Sequence, residues 1–177
     1  MAEQADTILL AYDLGKNRGR ILQFMQQTHD TLRHVLAPVS QATATTLRDA
    51  HDGDRGWTVL EVLCHLRDFD NLFRDRAKRI STQEAPMLPR LDHEQLAREG
   101  NYNGQDLATV REEFIHSRQQ TIRFFAELPN ELWPRASIHP ERGHFTMLDA
   151  ALQIGTHDTI HLEQITRILY HNESLAE

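Results

Sequence analysis

The sequence predicts an all-α protein, a bundle of four long helices. Apolar residues recur at steps of three and four in four separate stretches, whereas strand signals are weak throughout, without sustained alternation or an Asn-Gly hairpin. Three of the predicted helices are separated by long connections. Because short loops would join antiparallel neighbours, this spacing favours a bundle with crossovers. At 177 residues, the chain is expected to form a single domain over residues 1–177.

The first predicted helix lies in the N-terminal third and ends before Pro38, which cannot continue it. Its apolar residues are Ile21, Leu22, Met25, Leu32, Val35 and Leu36. A loop rich in Thr, Ala, Asp and Gly follows and closes with D-G-D-R-G at residues 52–56.

The second predicted helix begins at Trp57 or Thr58 and frays near Ser81, because Pro86 and Pro89 follow closely. One apolar face is formed by Val59, Val62, Leu66, Phe69 and Phe73. Such a face indicates a helix that packs on one side against a core.

The segment from Glu84 to Gly104 is predicted to be mostly connection, with one short helical turn at His93–Glu99. The third helix then spans Gln105–Leu128, and Pro129 closes it. Its apolar face comprises Leu107, Val110, Phe114, Ser117, Thr121, Phe124 and Leu128.

Leu132–Thr146, which contains prolines and a glycine, is predicted to be a loop. His139 and His144 within it are interpreted as parts of a turn and of the approach to a helix. The last helix is predicted at Met147–Tyr170, with Thr146 as its N-cap.

Composition narrows the classes of function. A net charge of −7 gives no support to nucleic-acid binding. No apolar run reaches the roughly 18 residues that a membrane span needs, and the N-terminus lacks the basic region of a signal peptide. The single cysteine, Cys64, rules out an internal disulfide and fits a reducing cytosol, so a cytoplasmic location is expected. Cys64 itself is interpreted as a small packed residue, with a reactive thiol as the alternative.

The most informative stretch is T-H-D-T-I-H-L-E-Q-I, in which His157 and His161 stand four residues apart on the last predicted helix. They continue an apolar row, so they are expected to face the core, while Asp158 and Glu163 are expected to face solvent. Two core histidines need partners for their nitrogens. A metal ion would satisfy both, and polar groups across the bundle are the alternative.

H-D-T-I-H also resembles the H-E-x-x-H of zinc proteases, with Asp158 in place of the glutamate. That interpretation is disfavoured, because too little chain follows His161 for a third ligand and aspartate is shorter than the expected base. The best upstream third ligand is His65, at the edge of the apolar face of the second helix. Three histidines with open positions are typical of a catalytic metal site rather than a closed structural one. The other histidines share no spacing and are predicted to lie on the surface: His29, His34, His51, His93, His116 and His171.

The ordered set of motifs W-T-V-L-E-V-L-C-H-L-R-D, P-M-L-P-R-L-D, I-H-P-E-R-G-H-F-T-M-L-D and H-D-T-I-H-L-E-Q-I resembles the DinB-like (YfiT-like) superfamily from about Leu14 to Leu169. The resemblance implies a four-helix bundle of up-down-down-up connectivity. It also implies a divalent metal bound by one histidine of the second helix and two of the fourth, which are His65, His157 and His161 here. Homodimers are common in the family, and its established activities centre on low-molecular-weight thiols.

Zinc or nickel suits three imidazoles best, with iron or manganese as further possibilities. Glu61, Asp68 and Gln164 are candidates for positions beside the ligands or the pocket, where a side chain can orient an imidazole. The alternative is that the two acids are solvated at the edge of their helix and that Gln164 is a helix-packing amide. The leading hypothesis is a metal-dependent enzyme that activates a low-molecular-weight thiol cosubstrate for transfer to a small molecule in detoxification. A metal-dependent hydrolase at the same site is the first alternative. A non-catalytic stress or damage-response protein with a structural metal is the second.

Overall fold

The computed structural model describes the backbone of residues 2–50 and 56–173, and the side chains of residues 17–50 and 56–170. Most of the predicted D-G-D-R-G loop lies outside these ranges. The regular elements are α1 (Ala2–Leu36), α2 (Gln41–Thr46), α3 (Val59–Thr82), α4 (His93–Glu99), α5 (Leu107–Glu127), β1 (Ala136–His139), β2 (Gly143–Thr146) and α6 (Met147–Glu173). Short 3₁₀ turns occupy Tyr102–Gly104 and Asn130–Leu132.

The long helices α1, α3, α5 and α6 run up, down, down and up. α3 packs against α5 and α6, and α1 packs against the same two helices from the other side. The residue numbers of contacting pairs increase together along α3 and α5, and also along α1 and α6, so each of these two pairs of helices is parallel. Between α3 and α6, the residue numbers increase in opposite directions, so these helices are antiparallel. The contacts are Arg67–Glu113, Arg74–Thr121, Phe24–Gly155, Thr28–Asp158, His65–His161 and Phe73–His157. The predicted four-helix bundle with crossover connectivity is therefore confirmed.

Side chains at the helix N-termini satisfy backbone N–H groups that have no partner within the helix. Thr58 Oγ1 accepts from the N–H of Glu61 at 3.2 Å, and the Glu61 carboxylate accepts from the N–H of Thr58 at 2.7 Å, which is a capping box. Asp106 caps α5. Thr146 and Asp149 repeat the reciprocal arrangement at α6, which confirms the predicted N-cap.

Two predicted loops contain regular structure. The segment after α1 forms the short helix α2, which Ser40 caps. The predicted loop Leu132–Thr146 holds the antiparallel hairpin of β1 and β2, with Ala136 opposite Thr146. Its turn uses Gly143 at φ 71°, a conformation that favours glycine. Four residues are the lower limit for an alternating pattern, and β1 reverses the usual pattern, since polar Ser137 and His139 are buried and Ile138 is exposed.

The prediction that Asp158 faces solvent is wrong. Its side chain is buried at the centre of the bundle and forms a bidentate ion pair with Arg118 of α5, which is also buried. Thr28 of α1 donates a further hydrogen bond to Asp158 at 2.8 Å. Because α6 packs against α1 on one side and α3 on the other, a residue about 100° around the helix from His157 still points inward. Glu163 is exposed, as predicted.

The predicted surface positions of the remaining histidines hold for His34, His93 and His116, whose side chains are exposed. His29 is instead buried, because α1 turns this side of its surface toward Phe114 of α5. His51 and the side chain of His171 lie outside the described residues. In the hairpin, His139 is the buried last residue of β1, where Arg76 of α3 approaches its Nε2 at 3.2 Å, and His144 is exposed in β2.

Candidate metal centre

Three histidines converge where the antiparallel helices α3 and α6 face each other. One nitrogen from each of His65, His157 and His161 lies within 4.8 Å of the others. The Nε2 atoms of His65 and His157 are 2.9 Å apart. Two nitrogens that share one tetrahedral zinc ion with bonds of about 2.0 Å lie roughly 3.3 Å apart, so the observed separation requires only a small adjustment.

Burial keeps these imidazoles neutral. Desolvation and the neighbouring imidazoles His161 and His157 lower the pKa of His65 to about 2. Desolvation, with smaller contributions from His161 and Arg118, lowers the pKa of His157 to about 3, and desolvation also lowers the pKa of His161. A neutral imidazole has the lone pair that a metal ion binds, so the cluster has the donor chemistry that a metal site requires.

Aromatic rings pack around the cluster. The ring of Phe69 lies 4.0 Å from that of His65 and stacks at 5.3 Å on that of His157. Phe73 meets His157 edge-on at 5.1 Å, and Trp57 meets His65 in the same way at 5.1 Å. His157 is therefore enclosed by aromatic rings on the inner side of the cluster.

The outer side of the cluster opens into a cavity of about 570 Å³, within the range of small-molecule sites. It is lined by Trp57, His65, Phe69, His93, Glu94, His161 and Gln164. Sequence reasoning missed His93 and Glu94 as cavity residues. The short helix α4 was predicted, but no spacing in the sequence indicates that the connection between α3 and α5 folds back over His65.

Gln164, one of the three predicted neighbours of the ligands, contacts the cluster. Its Oε1 lies 2.8 Å from His161 Nδ1. Glu61 and Asp68 form their hydrogen bonds with residues outside the histidine cluster. Glu61 caps α3 and pairs with Arg48. Asp68 accepts a hydrogen bond from Tyr102 Oη at 2.5 Å and pairs with Arg67.

Cys64, although adjacent to His65 in sequence, points away from the cavity. It is fully buried, and its Sγ lies 3.7 Å from the carbonyl oxygen of Tyr102. Burial raises the pKa of the Cys64 thiol to about 12. A buried thiol of this kind is not a nucleophile at neutral pH, which confirms its interpretation as a packed residue.

Fold and site together define a class: a four-helix bundle with crossover connectivity that carries three converging histidines on α3 and α6. The sequence profile described as the DinB superfamily matches residues 23–165. The chain therefore belongs to the DinB superfamily.

Two solved structures show the same fold. One is described as "YfiT from Bacillus subtilis is a probable metal-dependent hydrolase with an unusual four-helix bundle topology"; it is 18% identical, with 88% of this chain and 87% of that chain covered and a TM-score of 0.78. The other is a mycothiol-dependent maleylpyruvate isomerase, 13% identical, with 84% of this chain covered and a TM-score of 0.71. This chain spans 60% of the length of the isomerase. No curated protein sequence matches significantly. Among the described residues, no helix is long and apolar enough to cross a membrane.

Proposed function

We propose that this chain is a divalent-metal-dependent enzyme whose ion is held by His65, His157 and His161. The observation that carries the proposal is the convergence of three imidazoles, from two helices, at the base of an open cavity. One structural neighbour supports the metal, since it is described as a probable metal-dependent hydrolase, and the other, described as a mycothiol-dependent isomerase, supports chemistry on a thiol. Three imidazoles leave at least one position of the ion open, as in catalytic rather than structural sites.

We propose zinc or nickel as the ion, with iron or manganese as alternatives that imidazole ligands also accommodate. Such an ion would supply Lewis acidity and lower the pKa of a thiol or water molecule bound to it. The protein supplies the geometry. Aromatic contacts from Phe69 and Phe73 hold two of the rings, while His65 and His161 border the cavity through which a substrate enters.

The reaction that we favour is transfer chemistry on a low-molecular-weight thiol. Cys64 cannot serve as the nucleophile, because it is buried, held in the thiol form and directed away from the cavity. A thiol that reacts here must therefore come from outside, and the cavity has the volume for a small one.

Hydrolysis is the second candidate, and one observation favours it. His93 and Glu94 lie at the exposed rim of the cavity, where the ring of His93 is 6.3 Å from that of His65. An imidazole or a carboxylate in this position can accept a proton from a water molecule entering the site. A thiol substrate, whose proton is lost more readily, has less need of such a base.

The metal site is tested by elemental analysis of protein purified without a histidine tag. We expect about one divalent ion per chain in the wild type and a loss of at least tenfold in affinity for His65→Ala or His157→Ala. His116→Ala, which changes an exposed histidine of α5, is the matched control and should bind like the wild type. Less than about half an ion per chain, unaffected by His65→Ala, would refute the site.

The reaction class is tested on the metal-loaded protein. One assay pairs small thiols with an electrophile, and the other presents a panel of esters and amides. His93→Ala separates the candidates further, because it should reduce hydrolysis by about 10²-fold or more if His93 acts as a base and should leave thiol transfer within a few-fold. Full metal occupancy without turnover in either assay would favour a structural ion in a stress-response protein. Light scattering on the same sample tests the homodimer that the family resemblance implies.

A further inference from the structure

We infer that Asp49 and Gln164 form a positioning chain that fixes which nitrogen of His161 is available to a metal. The inference rests on the proposed metal site and extends it beyond the three imidazoles. Its basis is a continuous set of contacts. Gln164 Oε1 lies 2.8 Å from His161 Nδ1, and Gln164 Nε2 donates to Asp49 Oδ2 at 3.2 Å.

Asp49 sets the direction of the hydrogen bonds from Asp49 through Gln164 to His161. A carboxylate only accepts hydrogen bonds, so the end of the Gln164 amide that faces it must be the NH₂ group. The reversed amide would place its oxygen against the carboxylate. The Gln164 oxygen therefore faces His161, and the ring nitrogen opposite it, Nδ1, must carry the proton. This leaves Nε2 of His161 unprotonated.

Asp49 is itself held in place from two sides. Arg167 of α6 donates to its Oδ1, which balances its charge although Asp49 is buried. Its backbone N–H bonds the carbonyl oxygen of Trp57 at 3.0 Å. A Cβ at Gly56 would lie 2.1 Å from the carbonyl oxygen of Asp49, so only glycine permits this close approach. The segment before α3 thus holds the Asp49 carboxylate in a fixed position against α6.

His65 shows what the chain provides. Its Nδ1 is buried and has no hydrogen-bond partner among the described residues, so no oxygen acceptor fixes a proton on that nitrogen, and its Nε2 contacts only another imidazole, that of His157. His161, at the mouth of the cavity, has such an oxygen acceptor. Outer partners of this kind orient ligand histidines in known metal sites, and their loss weakens metal binding by about 10- to 100-fold.

The test compares Gln164→Leu with a polarity swap that joins Asp49→Asn to Gln164→Glu. In the swap, the asparagine amide donates and the new carboxylate accepts from His161, so the same tautomer is selected. Gln153→Leu makes the same chemical change elsewhere on α6 and is the control. Long-range ¹⁵N NMR of the imidazoles reports the tautomer in metal-free protein, and competition with a chromophoric chelator reports zinc affinity.

In the wild type and the swap we expect His161 to carry its proton on Nδ1, with zinc affinities within about threefold of each other. Gln164→Leu should yield a mixture of tautomers and a loss of about tenfold or more in affinity, without a change in the control. A wild-type tautomer and affinity in Gln164→Leu would overturn the inference, as would a swap no better than Gln164→Leu. If the wild type binds no zinc, the proposed function is refuted, and so is the role of Asp49 and Gln164 in metal binding. The NMR readout then still shows whether Gln164 fixes the tautomer.

Discussion

Replacing Asp158 by alanine is expected to destabilise the fold strongly although Asp158 lies outside the candidate metal centre. Asp158 and Arg118 are 0% and 1% exposed, and the Arg118 guanidinium donates to both oxygens of the Asp158 carboxylate. Two buried carboxylates, Asp158 and Asp70, face two buried guanidinium groups, Arg118 and Arg74, so the cluster is balanced in charge. Asp158→Ala leaves one positive charge in excess in a place that water cannot reach.

Breaking a buried ion pair from one side costs about 3–5 kcal/mol, because the remaining charge is left without compensation. For a protein of this size, such a loss corresponds to a decrease of about 6–20 °C in Tm. The contact from Thr28 to Asp158 is also lost, whereas Asp70 still accepts from Arg118 Nε at 2.6 Å and limits the damage. We therefore expect a value near the lower end of the range.

The assay is urea unfolding of metal-free protein, so that a change in metal affinity does not enter the result. Glu163→Ala is the matched control on the same helix: its side chain is 65% exposed, and its pair with Arg167 is at the surface. That change should cost less than about 1 kcal/mol. If Asp158→Ala is destabilised no more than Glu163→Ala, the reasoning is refuted. Such a result would indicate that Asp158 faces solvent, as expected from the sequence.

Two further predictions concern buried titratable groups away from the cavity. Burial, aided by Arg118, lowers the pKa of His29 to about 4. Below the ordinary value of 6.5, the unfolded chain binds a proton that the folded chain does not, so the contribution of His29 is complete above about pH 6.5 and is lost as the pH falls toward 4. Between pH 7.5 and 5, the free energy of unfolding of His29→Leu should fall by about 2 kcal/mol less than that of the wild type, as measured by urea unfolding. Equal decreases in the two proteins would contradict this prediction. Cys64, whose pKa burial raises to about 12, should resist iodoacetamide at pH 7.5 in the native protein and react in urea, as followed by mass spectrometry. Native labelling at the rate of a free thiol would show that the thiol is accessible.

Local patterns in the sequence were sufficient to predict the helices and the inward direction of His157 and His161, whereas His65 entered as the best upstream candidate and through the family resemblance. Val59, Val62 and Leu66 lie at helical spacing on a face that the structure buries, and prolines and polar caps bound the segments. His157 and His161 interrupt such a face. That interruption is visible without knowledge of the partner helix, because a helical period assigns residues to faces by number alone.

Features that depend on which helices and loops pack together could not be predicted from the sequence. Asp158 follows a residue on the inner face, and nothing local indicates that α1 and α5 also border its side of α6. Asp49 lies far from Gln164 in sequence, and His93 belongs to a short helix whose position over the cavity is fixed only by tertiary packing. The hairpin could not be predicted for another reason: its strands are short, and β1 buries polar Ser137 and His139 while exposing Ile138.

Consecutive residues of α6 connect the candidate metal centre to the buried ion cluster. His157 points into the centre and Asp158 into the cluster, while α3 contributes His65 to one and Asp70 to the other. A rotation of α6 that separated Asp158 from Arg118 would also move His157 away from His65. We therefore expect the cluster to fix the rotation of α6 more than it stabilises the fold, a role that buried polar groups serve in some proteins.

The double variant Arg118→Met with Asp158→Leu separates these two contributions. It removes a complete ion pair and leaves Asp70 with Arg74 and the hydroxyl groups of Ser117 and Thr121, so no charge is left in excess. Its free energy of unfolding should stay within about 2 kcal/mol of the wild type, since apolar replacements of buried pairs are often neutral or stabilising. Zinc affinity should nevertheless fall about tenfold, because α6 is no longer held at one rotation. Wild-type affinity in this stable variant would show that packing of apolar side chains alone sets the position of His157.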